Sequence, residues 1–406
     1  MTTSFFRMAL ILGLLSAIGP FAIDMYLPAL PSIGKDLHAE TSVVQLSLLF
    51  FFIPFAVAQL LYGPISDMWG RKLPLYMGIG LFAVASVGCA LADNIETLIA
   101  FRFVQGIGGA AGMVVPRAVV RDMHTGVQAA KLMSLLMLVF SISPILAPLT
   151  GSAVISFYGW RGVFWAVTIA AAIGLVLLST QLEETRTKAD RHGSNLGSAM
   201  RAYGMLLKDG HFLAMTFIGG FGLSGFLVYL ANSSFVLIEH YGLTPTEYSF
   251  AFSINAVSFF AVSQLTGWLG HRFGLVRVMR IAVIAFAVAM VALVIVMSAG
   301  LNQLPVMAAF LFVGFGCLGL VIPTTGVLAL EDHGAIAGTA SALMGTLQFV
   351  AAAVAMTISG LFFDGTALPM VIGIALCALI AFGLAQATSS RRHAAINIEA
   401  EAPAAE

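Results

Sequence analysis

The 406 residues are 60% hydrophobic and only 9% charged, with a mean hydropathy of +0.99. A water-soluble domain is nearer ~45–50% apolar and ~25% charged, so this chain has too few charges to face water and must be surrounded mostly by lipid. Nineteen Lys and Arg balance nineteen Asp and Glu, and a chain with no net charge is not expected to bind nucleic acid.

Apolar runs of about 20 residues are long enough to cross the hydrocarbon core as helices. The first, 6–30, opens like a signal peptide, with Arg7 ahead of an apolar stretch. It runs on through Asp24-Met25-Tyr26 without a small-residue cleavage site and reads as a retained span. The next five are 43–65, 74–93, 97–120, 132–156 and 161–181. Residues 182–211 then form the longest polar stretch between spans, with Glu183, Glu184, Arg186, Lys188, Asp190, Arg191, His192, Arg201, Lys208 and Asp209. Six more spans follow, at 213–238, 247–269, 278–299, 304–329, 335–361 and 367–388. After Thr388 the tail, Arg391 and Arg392 followed by Ala- and Glu-rich residues, has no apolar period and is expected to be disordered.

The expectation is an all-α membrane protein: a six-helix bundle over 1–181, a cytoplasmic linker over 182–211, a second bundle over 212–388 and a cytoplasmic tail over 389–406. The short alternating segments of a β-barrel are absent, and helices are the other structure that satisfies its own backbone in lipid. Cys89, Cys317 and Cys377 lie inside apolar runs without metal-ligand spacing, so neither disulfide, metal nor cofactor is expected.

Orientation follows from Lys and Arg, which collect on the cytoplasmic side. With the N-terminus inside, every Lys and Arg except Lys35, Arg161 and the intramembrane Arg102 falls in a cytoplasmic segment. Both termini are therefore expected on the cytoplasmic side. The halves also repeat. Gly63 and Gly70 return 204 residues on as Gly267 and Gly274; Gly109, Gly112 and Pro116 return 207 residues on as Gly316, Gly319 and Pro323. Parallel six-helix repeats place a substrate site between the halves near the midplane, reached by alternating access.

Asp24 is the one acidic residue well inside a span, and Arg102 is the one basic residue comparably deep. Counted from the expected outer ends of their helices, both lie ~8–10 Å down and should share a layer. A charge at mid-helix costs ~2.5–3.5 kcal/mol or more and marks a functional site with a partner. Desolvation penalises a carboxylate and a nearby cation stabilises it, so a helix shift that changes the Asp24–Arg102 distance would change proton affinity. Asp24 reads as the proton-coupling carboxyl and Arg102 as its tuner, with about one proton per cycle for one deep carboxyl. Tyr26, Gln105, Asn232 and Asn255 are polar groups within spans; Tyr229-Leu230 repeats Tyr26-Leu27 at an offset of 203 residues, and Tyr26 and Asn232 are the preferred cavity candidates. Thirty-one Phe and nineteen Met suit an adaptable apolar pocket.

Gly63-Pro64-Ile65-Ser66-Asp67-Met68-Trp69-Gly70-Arg71-Lys72 resembles the loop between the second and third helices of the major facilitator superfamily, and Leu98 through Ala111 resembles its fourth-helix motif. Asp24-Met25-Tyr26-Leu27-Pro28-Ala29-Leu30-Pro31 and Ser143-Pro144-Ile145-Leu146-Ala147-Pro148-Leu149-Thr150-Gly151 look like the bicyclomycin-resistance and chloramphenicol-efflux (Bcr/CflA) branch of its drug–proton antiporters. The second half departs from the loop motif, with His271 at the place of Asp67 and Leu275 at that of Arg71.

The resemblance implies a cytoplasmic gate of Gly63, Asp67, Gly70, Arg71, Lys72 and Asp122. In it Asp67 caps the eleventh span near Gly334, and Arg71 pairs with Asp122. It also links Pro144, Pro148 and Gly151 to antiport; proline removes a backbone donor and disturbs its helix. The function expected is a monomeric, proton-coupled antiporter exporting small amphipathic compounds. The alternative is a carrier of the same fold for a sugar, amino acid or nucleobase. No clustered catalytic set suggests an enzyme, and no filter repeat or ring of like charge suggests a channel.

Overall fold

The computed structural model describes residues 3–124, 126–187, 191 and 196–401. Lys188, Asp190, His192, residues 402–406 and the side chains of Arg391 and Arg392 lie outside that description. Fourteen α-helices follow one another: α1 Thr3–Asp24, α2 Leu30–Asp36, α3 Thr41–Trp69, α4 Lys72–Ala90, α5 Ile95–Met123, α6 Gly126–Gln181, α7 Leu196–Leu206, α8 Gly210–Ser234, α9 Pro245–Ser263, α10 Thr266–Phe273, α11 Leu275–Ser298, α12 Leu304–Leu330, α13 Ala337–Leu361 and α14 Leu368–Glu401. Among the described residues, eleven stretches are long and apolar enough to span a membrane. One of them, Lys131–Gln181, is two passes that meet at Gly159, where φ +66° turns the chain out of the helix. Twelve passes result, as the hydropathy pattern predicts.

The polar breaks cap the helices they separate. Asn94 accepts from the Thr97 N–H at 2.8 Å ahead of α5, Asp209 accepts from His211 and Phe212 ahead of α8, and Thr244 with Glu247 forms a capping box on α9. The three cysteines are free thiols.

The first half, α1–α6, meets the second, α8–α14, along α3 against α13 and α6 against α9. In the orientation expected from the sequence, the polar bonds between them fall at the outer end and in the middle. Gln45 Nε2 donates to Asn232 Oδ1 at 3.0 Å and Lys35 lies 3.6 Å from Glu239. Ser249 and Ser253 donate to the carbonyls of Pro148 (2.8 Å) and Ile145 (2.9 Å), and Thr346 to that of Ala56 (2.7 Å). Phe52 and Phe55 pack against Phe349. The end that carries Lys35 and Glu239 is closed in this conformation. At the opposite end α7, within the linker, crosses α3 and α13, and Tyr203 Oη donates to the Leu60 carbonyl at 3.1 Å.

Two expectations change. The first span does not stop near residue 30. It breaks after Asp24, passes through a 3-10 turn at Leu27–Ala29 and continues as α2 to Asp36. Pro28 and Pro31 lack the N–H groups that a continuous helix would need, and both sit in first-turn positions of the new segments, where that lack is harmless. The last helix continues through Glu401, past Thr388 where a disordered tail was expected; its Ala, Arg and Glu residues are strong helix formers.

Candidate functional site

Asp24 ends α1 at the break and is only 5% exposed. Twelve residues separate it from the outer end of the span at Asp36, about 18 Å, whereas Arg102 is seven residues into α5, about 10 Å. The first span is thus longer than its apolar run suggests. Asp24 and Arg102 do not form an ion pair. The hydrogen-bond partner of Asp24 is Ser143 of α6, with Oγ 3.5 Å from Oδ2. Next to it, Gly151 of α6 lies against Met25: a Cβ on Gly151 would come within 2.9 Å of the Met25 Cα. The Pro144–Gly151 stretch therefore lies directly behind the helix break.

Arg102 is fully buried and bound by other groups. Its guanidinium stands 4.6 Å from the Tyr26 ring and 4.4 Å from the Phe51 ring, a favourable cation–π placement once water is excluded. Nη1 donates to Gln105 Oε1 at 2.6 Å, and Nε reaches the Ser47 carbonyl at 3.5 Å. Gln105 passes the chain on to Ser86 of α4 at 2.7 Å, while the Tyr26 and Ser47 hydroxyls share a 2.7 Å bond. Among the described residues Nη2 has no hydrogen-bond partner. The structure thus joins Arg102, Tyr26 and Gln105, and Arg102 touches the break at Tyr26 rather than at Asp24.

The other two cavity candidates are elsewhere. Asn232 of α8 donates to the Val228 carbonyl (2.8 Å) and to Ser359 (3.2 Å) while accepting from Gln45, so it is part of the outer closure. Asn255 of α9 donates to Tyr229 Oη at 3.0 Å, and the Tyr229 ring stacks on Phe252 and leans on Phe315. Gln45, Ser47 and Ser86 were not legible as site residues. A single amide or hydroxyl in an apolar run is common, and its partner is set by another helix.

At the other end of the bundle, Gly70 turns between α3 and α4 at φ +92°, a conformation that favours glycine. Arg71, 4% exposed, is held as the resemblance implies by Asp122: Nε to Oδ2 at 2.7 Å and Nη2 to Oδ1 at 3.1 Å. Its Nη1 also donates to Asp67 Oδ1 (2.8 Å) and Ser66 Oγ (2.7 Å). The cap of Asp67 on α13 is not formed here. Asp67 instead faces Arg186 of the linker, which lies 3.4 Å away and donates Nε to the Asp67 carbonyl at 2.9 Å. Moreover α13 starts at Ala337, after a 3-10 turn at Glu331–Ile336, and no side chain caps it.

Lys72 places its ammonium 5.9 Å from the Tyr76 ring, and nothing crowds Gly63. Glu184, read from the sequence only as a linker charge, completes the corner. Its carboxylate accepts from the N–H groups of Arg71 (2.8 Å), Lys72 (3.2 Å) and Arg186 (3.0 Å). Partial burial pushes its carboxyl up, but those N–H donors and the Arg191 charge together hold it below the ordinary value.

The chain matches the model of the Major Facilitator Superfamily over residues 12–356. It is 37% identical over 365 residues to YdgK of Bacillus subtilis (strain 168), named an uncharacterized MFS-type transporter, covering 89% of this chain and 90% of that protein. It is 30% identical over 379 residues to a bicyclomycin resistance protein homolog of Haemophilus influenzae, covering 93% and 94%. The crystal structure of a D-xylose–proton symporter superposes with a TM-score of 0.75 at 17% identity over 94% of this chain and 97% of that one, a likeness of fold alone.

Proposed function

This chain belongs to the Major Facilitator Superfamily and is a multi-pass membrane transporter rather than an enzyme, and from that premise we propose that it is a proton-coupled antiporter exporting small amphipathic compounds by alternating access. The proposal places both termini and the linker in the cytoplasm of a bacterial cell. The observation that carries it is Asp24: a buried carboxyl that, among the described residues, has no cationic partner, at a helix break, against Ser143 and Gly151 of α6. A carboxylate in such a place is penalised by desolvation and relieved by water. Admitting water to it from one side or the other therefore changes its proton affinity. Movement at the break also moves Tyr26, and with it the Arg102–Gln105–Ser86 chain. In this reading Arg102 is a positioning residue that acts through Tyr26.

The bicyclomycin-resistance name of one relative and the Bcr/CflA-like motifs favour drug-like cargo. The test is a susceptibility and accumulation screen across antibiotic classes with the protein overexpressed, alongside Asp24→Asn. The expected result is lowered accumulation of at least one compound, reversed when the proton gradient is collapsed and absent in the membrane-inserted variant. Uncoupler-sensitive efflux that persists in Asp24→Asn would overturn the assignment.

A further inference from the structure

Between α10 and α11 the chain passes through Gly274 at φ +81°, and α11 begins with no side chain capping its first N–H groups. A cavity of about 510 Å³ opens at this point, with Arg277 and Arg280 as its cations and Phe273 and Ile281 on its apolar side. Arg272 lies just ahead, its guanidinium 5.7 Å from the Trp268 ring and 5.6 Å from the Phe273 ring. Among the described residues none of these three arginines has a carboxylate partner. The Nε of Arg280 is buried without any hydrogen-bond acceptor. Trp268 is 59% exposed and Phe273 47%.

We infer that this cavity binds the headgroup of an anionic phospholipid from the surrounding leaflet. Guanidinium forks match the paired oxygens of a phosphodiester, and an uncapped helix N-terminus favours the same charge. The exposed indole and phenyl rings fit the interface where headgroup meets acyl chain. Apolar walls beside the cations give glycerol and upper acyl carbons a surface that free phosphate would not use. The placement at the anionic cytoplasmic leaflet rests on the orientation proposed above, whereas the site itself rests on neither proton coupling nor cargo.

The test is native mass spectrometry of the full chain in detergent, titrated with phosphatidylglycerol, with phosphatidylcholine and with inorganic phosphate. Phosphatidylglycerol should bind more tightly than phosphatidylcholine. Arg277→Gln and Arg280→Gln should each weaken it roughly five-fold, while Lys208→Gln in the linker leaves it unchanged. If the Gln variants do not fold, Arg277→Lys and Arg280→Lys keep the charge and should lose part of the preference. Equal binding of the two lipids, or unchanged affinity in the arginine variants, would overturn the site. Competition by millimolar phosphate would overturn the lipid as its ligand. Since the readout is binding in detergent, a transport-dead Asp24→Asn would leave the result standing.

Discussion

The α3–α4 corner of the first half and the α10–α11 corner of the second occupy repeated positions and turn in the same way, through Gly70 at φ +92° and Gly274 at φ +81°. Their chemistry is opposite. In the first corner Arg71 is enclosed by Asp67 and Asp122, and Glu184 closes over the turn from the linker. In the second, His271 and Leu275 stand at the equivalent places, and among the described residues Arg272, Arg277 and Arg280 have no carboxylate partner. The turn needs only a glycine with positive φ, whereas the ion-pair network needs several side chains at once, and the second corner lacks them. Deeper in the membrane the contrast recurs: 203 residues beyond Asp24 stands Leu227, buried in the apolar core.

The largest effect that sharpens this contrast is at Asp24. Asp24→Asn should abolish uphill proton-driven efflux in proteoliposomes, and adding Leu227→Asp should not restore it, because that helix lacks the break and the contact with Ser143 and Gly151. Restoration would mean that the halves are chemically interchangeable.

Next comes the enclosed arginine. Arg71→Ala strands two carboxylates, for about 2–4 kcal/mol of lost stability; the fully buried figure is discounted because Asp67 is 43% exposed. Arg272→Ala in the other corner should stay within about 0.5 kcal/mol. Similar losses on thermal unfolding would erase the distinction between the corners.

Asp67→Asn should alter the conformational balance without touching the distant cargo site. A macrodipole or ion-pair contact of ~1–2 kcal/mol, present in only one state, shifts populations roughly 5–30-fold. Spin-label distances between the cytoplasmic ends of α3 and α13 would report it, and unchanged distributions would leave Asp67 as an ordinary loop charge.

The second half has its own tether at this end, where Asp209 caps α8 and bonds His333 at 2.9 Å. Asp209→Ala should cost about 1 kcal/mol as a lost N-cap, read as a lower unfolding temperature. No change would show that the tether carries no stability.

The smallest effect is at Glu184. Its folded carboxyl lies below the ordinary value of 4.5, so its stabilisation is fully present above that value and is lost as pH falls through the lowered one. The stability gap between wild type and Glu184→Gln, about 0.5–1 kcal/mol at neutral pH, should therefore close under acid conditions. A gap that does not change with pH would remove the carboxylate from the corner's energetics.

Hydropathy and charge alone determined the twelve passes, the cut at the linker and the singular depth of Asp24, since burying about 20 residues in hydrocarbon is a local and additive requirement. Motif resemblance carried the Arg71–Asp122 pair across 51 residues of chain. The tertiary structure alone decided that Arg102 contacts Tyr26 rather than Asp24, that Asp67 faces Arg186 in this conformation, that Gln45 bonds Asn232 and that Glu184 accepts from the Arg71 N–H. Each of those partners lies on another segment, tens to more than a hundred residues away. A side chain's own position in sequence fixes its depth and face, but which group meets it there depends on how the helices pack.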